Sequence, residues 1–153
     1  MAWLGCGIEL HSITQFRLGL SLLHISDMEI YRSELEPLLA QYAHEPIELM
    51  IVPDIAEWTR GRKGNFSGNP PGMAIRDAET EAAAILLRRN ITQEAAESIV
   101  DRVCLGGHPN VRRRLASGSA LAKHLVLHEL AHLENDWSQD MEDACDAWAF
   151  ERM

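Results

Sequence analysis

His128-Glu129-Leu130-Ala131-His132 is the centre of the stretch, Leu121 to Glu151, whose reading decides the fold. Leu125, Val126, Leu127, Leu130, Ala131 and Leu133 around it are all uncharged. A helix whose back packs into a core needs that composition. Ser117-Gly118-Ser119 supplies an N-cap region just before it. On such a helix, two histidines four apart differ by about 40° in azimuth and about 6 Å in height. Both imidazoles therefore reach one metal ion. Glu129 borders the same face, within reach of a water held there, and can take its proton.

This is the H-E-x-x-H pattern of zinc hydrolases, in which one helix gives two ligands and the general base. A catalytic zinc site takes three protein ligands and keeps its fourth position for water, so a third donor is required. Ten residues beyond His132 stands Glu142, and four beyond that Asp146. A carboxylate on a second helix packed across the first meets the need. The longer Glu142 is the expected ligand. Asp146, one turn on, is expected to accept a hydrogen bond from the far nitrogen of a ligand histidine and fix its tautomer. Asp143 points about 100° away from Glu142 and is expected on the solvent side. Cys145 is a softer donor that zinc also accepts, but its azimuth lies about 60° from Glu142. His124 precedes His128 by one turn, yet about 80° separates it from His132, which argues against joint ligation. An oxyanion donor is open among His108, His44, Tyr42 and His124.

H-E-L-A-H followed by E-x-x-x-D-x-W-A resembles the ImmA/IrrE-like metallopeptidases, and more broadly the thermolysin-type glutamate zincins. The resemblance covers mainly the last third of the chain. It implies a helical Glu as third ligand, with Asp one turn on, matching Glu142 and Asp146. It also implies a regulatory protease that cuts a specific protein, typically a transcriptional repressor. Metzincins are excluded, because Asn135 and Ser138 stand where their Gly and third His belong.

At 153 residues the chain is expected to form one domain, 1–153, large enough for a proper core. Its net charge of −9 argues against a nucleic-acid-binding surface as the main function. Cys6, Cys104 and Cys145 are an odd and scattered set, with neither disulfide framework nor zinc-finger spacing, so the cytoplasm is the expected home. Residues 1–26 are apolar but broken by Glu9, His11 and Arg17, so they read as neither signal peptide nor membrane span. Strand and helix are both open for that segment.

A helix is expected within Ser26 to Tyr42, with two competing capping boxes, Ser26-x-x-Glu29 and Ser33-x-x-Glu36. Pro37 favours the second, because proline is best tolerated near a helix start. Residues 47–53 read as a strand ended by proline, and 59–72 as an exposed loop rich in Gly, Pro and basic residues. Residues 72–76 and 83–88 read as two more strands; the second suits a helix beginning at Glu79 equally well, and strand is preferred partly because the resemblance places a small sheet before the active helix. Thr92 opens a helix to about Leu105, and Gly106-Gly107 ends it. His108-Pro109-Asn110 and Arg112-Arg113-Arg114 form the approach to the central helix.

The expectation is thus an α+β, zincin-like domain. A small mixed sheet packs against the H-E-x-x-H helix and a C-terminal ligand helix. Zn²⁺ is held by His128, His132 and Glu142, Glu129 is the catalytic base, and Asp146 supports the ligands. The partner is a protein or peptide substrate rather than nucleic acid or membrane. The rival from another class is a non-peptidase binding protein of the same fold, in a phage, toxin–antitoxin or stress-response module. An intact Glu129 argues against it, since a pure metal scaffold has no need of an acid there.

Overall fold

The computed structural model describes residues 25–60, 62 and 68–153. In chain order these form β1 (Met28–Glu29), α1 (Arg32–Tyr42), β2 (Ile47–Val52), α2 (Ile55–Thr59), β3 (Gly72–Arg76), β4 (Ala83–Arg88) and β5 (Asn90–Ile91). They continue with α3 (Gln93–Leu105), α4 (Val111–Arg114), α5 (Gly118–Glu134) and α6 (Glu142–Glu151), with a short 3₁₀ turn, Gln139–Met141, before the last helix. The architecture is α+β with small sheets. The expectation for residues 1–24 lies outside the described residues. Ile25 is buried in the core.

The main sheet has the order β2–β4–β3. It is mixed: β2 runs parallel to β4, from Ile47 opposite Ala83 to Val52 opposite Arg88. β3 runs antiparallel, with Gly72 opposite Leu87 and Arg76 opposite Ala83. The unbroken apolar run of β4 suits a middle strand covered on both faces. Side chains alternate along it. Ile85 and Leu87 enter the main core, while Ala84 and Leu86 meet Val52, Ile55 and Met73 on the other face.

α5 is buried nearly all round, through Leu121, Ala122, His124, Leu125, Val126, Leu127, His128, Leu130 and Ala131. It packs on α6, β3, β4 and α1. Each fully buried leucine there contributes roughly 1.5–3 kcal/mol of transfer free energy. The two histidines are therefore carried on the most deeply anchored helix described. Its start is capped by Ser117, whose hydroxyl accepts from the Ala120 N–H at 3.1 Å.

Several boundaries match the reading of the chain. β3 and β4 fall at 72–76 and 83–88, and Thr92 caps α3 by accepting from the Ala95 N–H at 3.2 Å. Gly107, with φ of 77°, takes the left-handed turn that releases α3. Neither capping box near the first helix forms. Ser26-x-x-Glu29 fails because Met28 and Glu29 pair with Ile91 and Asn90 as a strand. α1 begins before Ser33, with Tyr31 as an N-cap whose side chain caps nothing, and it carries Pro37 inside. The proline removes one ladder hydrogen bond, and the buried Leu35 and Leu39 hold the helix regardless. The expected loop 59–72 lies partly outside the described residues. α2 precedes it, capped by Asp54, which accepts from the Glu57 N–H at 2.7 Å. Among the described residues no helix is long and apolar enough to cross a membrane.

Candidate metal centre

α5 and α6 cross so that the histidines of the first face the acids of the second. His128 Nδ1 lies 2.7 Å from Asp146 Oδ1. His132 Nδ1 lies 2.9 Å from the Trp137 carbonyl oxygen. Carbonyl and carboxylate oxygens only accept, so both Nδ1 atoms donate. Each imidazole then presents Nε2 as its other nitrogen. The Trp137 contact depends on a turn: Asp136 sits at φ 52°, and the Trp137 N–H bonds back to the His132 carbonyl at 3.1 Å. Asp tolerates that left-handed conformation better than most residues.

The two Nε2 atoms meet the carboxylate of Glu142. Oε2 is 3.3 Å from His128 Nε2, and Oε1 is 3.5 Å from His132 Nε2. Those separations are long for good hydrogen bonds. Each is near the roughly 3.4 Å between two donors on a tetrahedral metal with bonds of about 2.0–2.1 Å, although a different carboxylate oxygen faces each imidazole. The expected ligand triad is thus brought together. Asp146 takes the supporting position and is buried, whereas Asp143 is exposed.

Electrostatics suit a cation. Burial alone would depress His128, but hydrogen bonds to Asp146 and Glu142 outweigh it and raise its pKa to about 10. His132 rises to about 11, first through its hydrogen bond with Cys145 and then through Glu142. Burial disfavours the charged forms of Glu142 and Asp146, yet the histidine hydrogen bonds hold both well below the usual carboxylate range. Protons on the two imidazoles supply positive charge opposite the two carboxylates. Buried His, Asp and Cys groups here could bind a metal ion.

Glu129 stands against β3. Burial pushes its carboxyl up, while His128 and His132 pull it down and the Ala74 backbone N–H steadies it. A Cβ on Gly72 would lie 3.0 Å from Glu129 Oε1. Glycine there lets the strand approach the acid closely.

Three further residues join the cluster: the sequence weighs His124 and Cys145 without making them ligands, and it gives no signal for Arg102. His124 Nε2 lies 3.0 Å from the same Asp146 oxygen that receives His128. Burial keeps it neutral, and its ring packs on Phe150 at 4.6 Å. The stripe of 124, 128 and 132 was the signal, but only the fold shows the shared acceptor. Arg102, from α3, donates to Glu142 Oε2 at 2.9 Å. Cys145 lies with His128 and His132, their ligand atoms all within 4.8 Å of one another. Among the oxyanion candidates, His44 pairs with Glu134, and Tyr42 donates to the Arg152 carbonyl at 3.3 Å. His108 lies behind Asp146, near Asp143, with its ring 5.4 Å from that of Phe150.

The chain matches no family model, and neither a curated protein nor a solved structure was found to be similar to it.

Proposed function

We propose that this chain is a zinc-dependent metallopeptidase with a zincin-like, ImmA/IrrE-like active site. The observation that carries the reading is the pair of Nδ1 hydrogen bonds, to Asp146 and to the Trp137 carbonyl, which leave both Nε2 atoms directed at Glu142. His128, His132 and Glu142 would hold the ion, with Asp146 orienting His128. A bound zinc ion supplies Lewis acidity, polarising a carbonyl and lowering the pKa of a water toward about 7.

The remaining work belongs to this chain's own residues. Glu129 accepts the proton of the attacking water and passes it to the leaving amine. Its burial against β3 favours the protonated form, which brings its basicity nearer to neutral pH. β3 is an edge strand of its sheet and borders both Glu129 and α5. An extended peptide added to that edge would lay its backbone beside the acid. The substrate class is a protein segment in extended form, such as a site in a transcriptional repressor, and the setting is the cytoplasm.

The test is Glu129→Gln, assayed by mass spectrometry on a peptide library with zinc present. The variant keeps fold and metal and loses cleavage by about 10²- to 10⁴-fold, the usual cost of a missing general base. Cleavage equal to wild type would remove Glu129 from the mechanism. A second reading draws on Cys145 and Arg102: a metal site enclosed by protein donors, in a binding protein that hydrolyses nothing. Wild type that binds zinc tightly and cleaves no member of the library would favour it.

A further inference from the structure

Cys145 is fully buried on α6, one turn beyond Glu142. Its sulfur faces the two metal-site imidazoles of α5. His128, His132 and Cys145 place one ligand atom each within 4.8 Å of the others. Donors sharing a tetrahedral zinc with bonds near 2.3 Å to sulfur and 2.0–2.1 Å to nitrogen lie about 3.6 Å apart. The cluster therefore needs only a small contraction to close on an ion. Glu142, by contrast, already has a second partner, since the oxygen nearest His128 also receives Arg102 at 2.9 Å.

We propose that Cys145 is itself a ligand of the metal held by His128 and His132, so that α6 offers two donors, a thiolate and the Glu142 carboxylate. The inference rests on the metal-centre reading and deepens it. On binding, the Sγ–H proton leaves to solvent and the sulfur lone pair forms the bond to the ion. With both α6 donors bound, protein fills all four positions, as in a structural site. A water would take the fourth place if Glu142 kept Arg102, which already donates to it at 2.9 Å, as its partner instead.

The test is substitution of the full chain with cobalt(II) and its absorption spectrum. Cobalt bound by a thiolate shows an intense near-ultraviolet charge-transfer band that nitrogen and oxygen ligands alone do not give. Wild type and Glu142→Ala are expected to show the band. Cys104→Ala, which changes a thiol on α3 away from the cluster, is expected to keep it. Cys145→Ala should lose it, and lose more affinity than the about 10- to 100-fold that a missing supporting contact costs. Cys145→Ser serves the same purpose if the alanine variant folds poorly. Cobalt bound by wild type with visible bands but no charge-transfer band would overturn the Cys145 assignment and leave the histidine centre standing. A wild type that binds no cobalt would overturn both.

Discussion

Asp146 is where stability and metal affinity are most tightly joined, so its removal has a calculable outcome. The residue is 3% exposed, and one oxygen accepts from His128 at 2.7 Å and from His124 at 3.0 Å. In Asp146→Ala both imidazole N–H groups lose their acceptor while remaining buried. Each buried unsatisfied donor costs about 1–3 kcal/mol, so the pair costs about 2–6 kcal/mol. A domain of this kind has only about 5–15 kcal/mol in all. The same change frees the His128 ring to rotate, which should weaken metal binding by about 10- to 100-fold. Asp146→Asn keeps the shape and an acceptor oxygen but loses the charge that strengthens both bonds. It should retain more of the stability than alanine while still losing metal affinity. Denaturant unfolding of the metal-free protein gives the first quantity, and competition against a chromogenic chelator gives the second. An alanine variant within about 0.5 kcal/mol of wild type, the range of ordinary surface changes, with unchanged affinity, would refute the reasoning.

Three further expectations follow from the same geometry. Gly72→Ala forces Glu129 to shift, because its Cβ would lie 3.0 Å from both Glu129 Oε1 and Leu87 Cδ2. Peptide cleavage should fall toward about 10²-fold, the cost of a misplacement near 1 Å, while metal content by elemental analysis stays unchanged. Metal binding should tighten with pH. His128 and His132 are raised to about 10 and about 11 in the metal-free fold, so both carry protons near neutrality and must release them. Chelator competition at about pH 6 and about pH 8 should show that rise, with proton release approaching two per ion in weakly buffered solution. The metal-free protein should respond oppositely. Raised histidine pKa values add stability that is fully present below their ordinary value of 6.5 and lost as pH climbs through about 10 to 11. The lowered Glu142 and Asp146 add stability present above the ordinary carboxylate range and lost in acid below it. Its denaturation midpoint should therefore peak in mildly acidic solution, and a midpoint rising steadily from there to pH 9 or so would contradict the assignment.

Much of this centre was legible because its signals are local. The helical spacing of His128 and His132, the Ser117 and Thr92 caps, and the apolar runs of β3 and β4 each act within a few residues. The spacing of Glu142 and Asp146 puts both acids on one face of their helix, and the fold brings both to His128. What escaped is tertiary or carried by backbone. The acceptor for His132 is the Trp137 carbonyl, which any residue would supply and which the turn at Asp136 alone directs. Arg102 reaches Glu142 from forty residues away in the chain. Azimuth alone argues against Cys145, yet the helix crossing brings it to the same histidine pair. α1 went wrong at its start because both serine boxes looked sufficient, while pairing of β1 with β5 and burial of Leu35 fixed the boundary. α2 did have a local signal, Asp54 three residues before Glu57, and it was overlooked.

One metal held between His128 and His132 is the central claim. Elemental analysis of the purified full chain tests this most directly, run beside His128→Ala and His132→Ala with folding checked by circular dichroism. The prediction is one zinc per chain in wild type and none retained by either folded variant. A metal-free wild type after zinc loading, or full zinc in either variant, would contradict it.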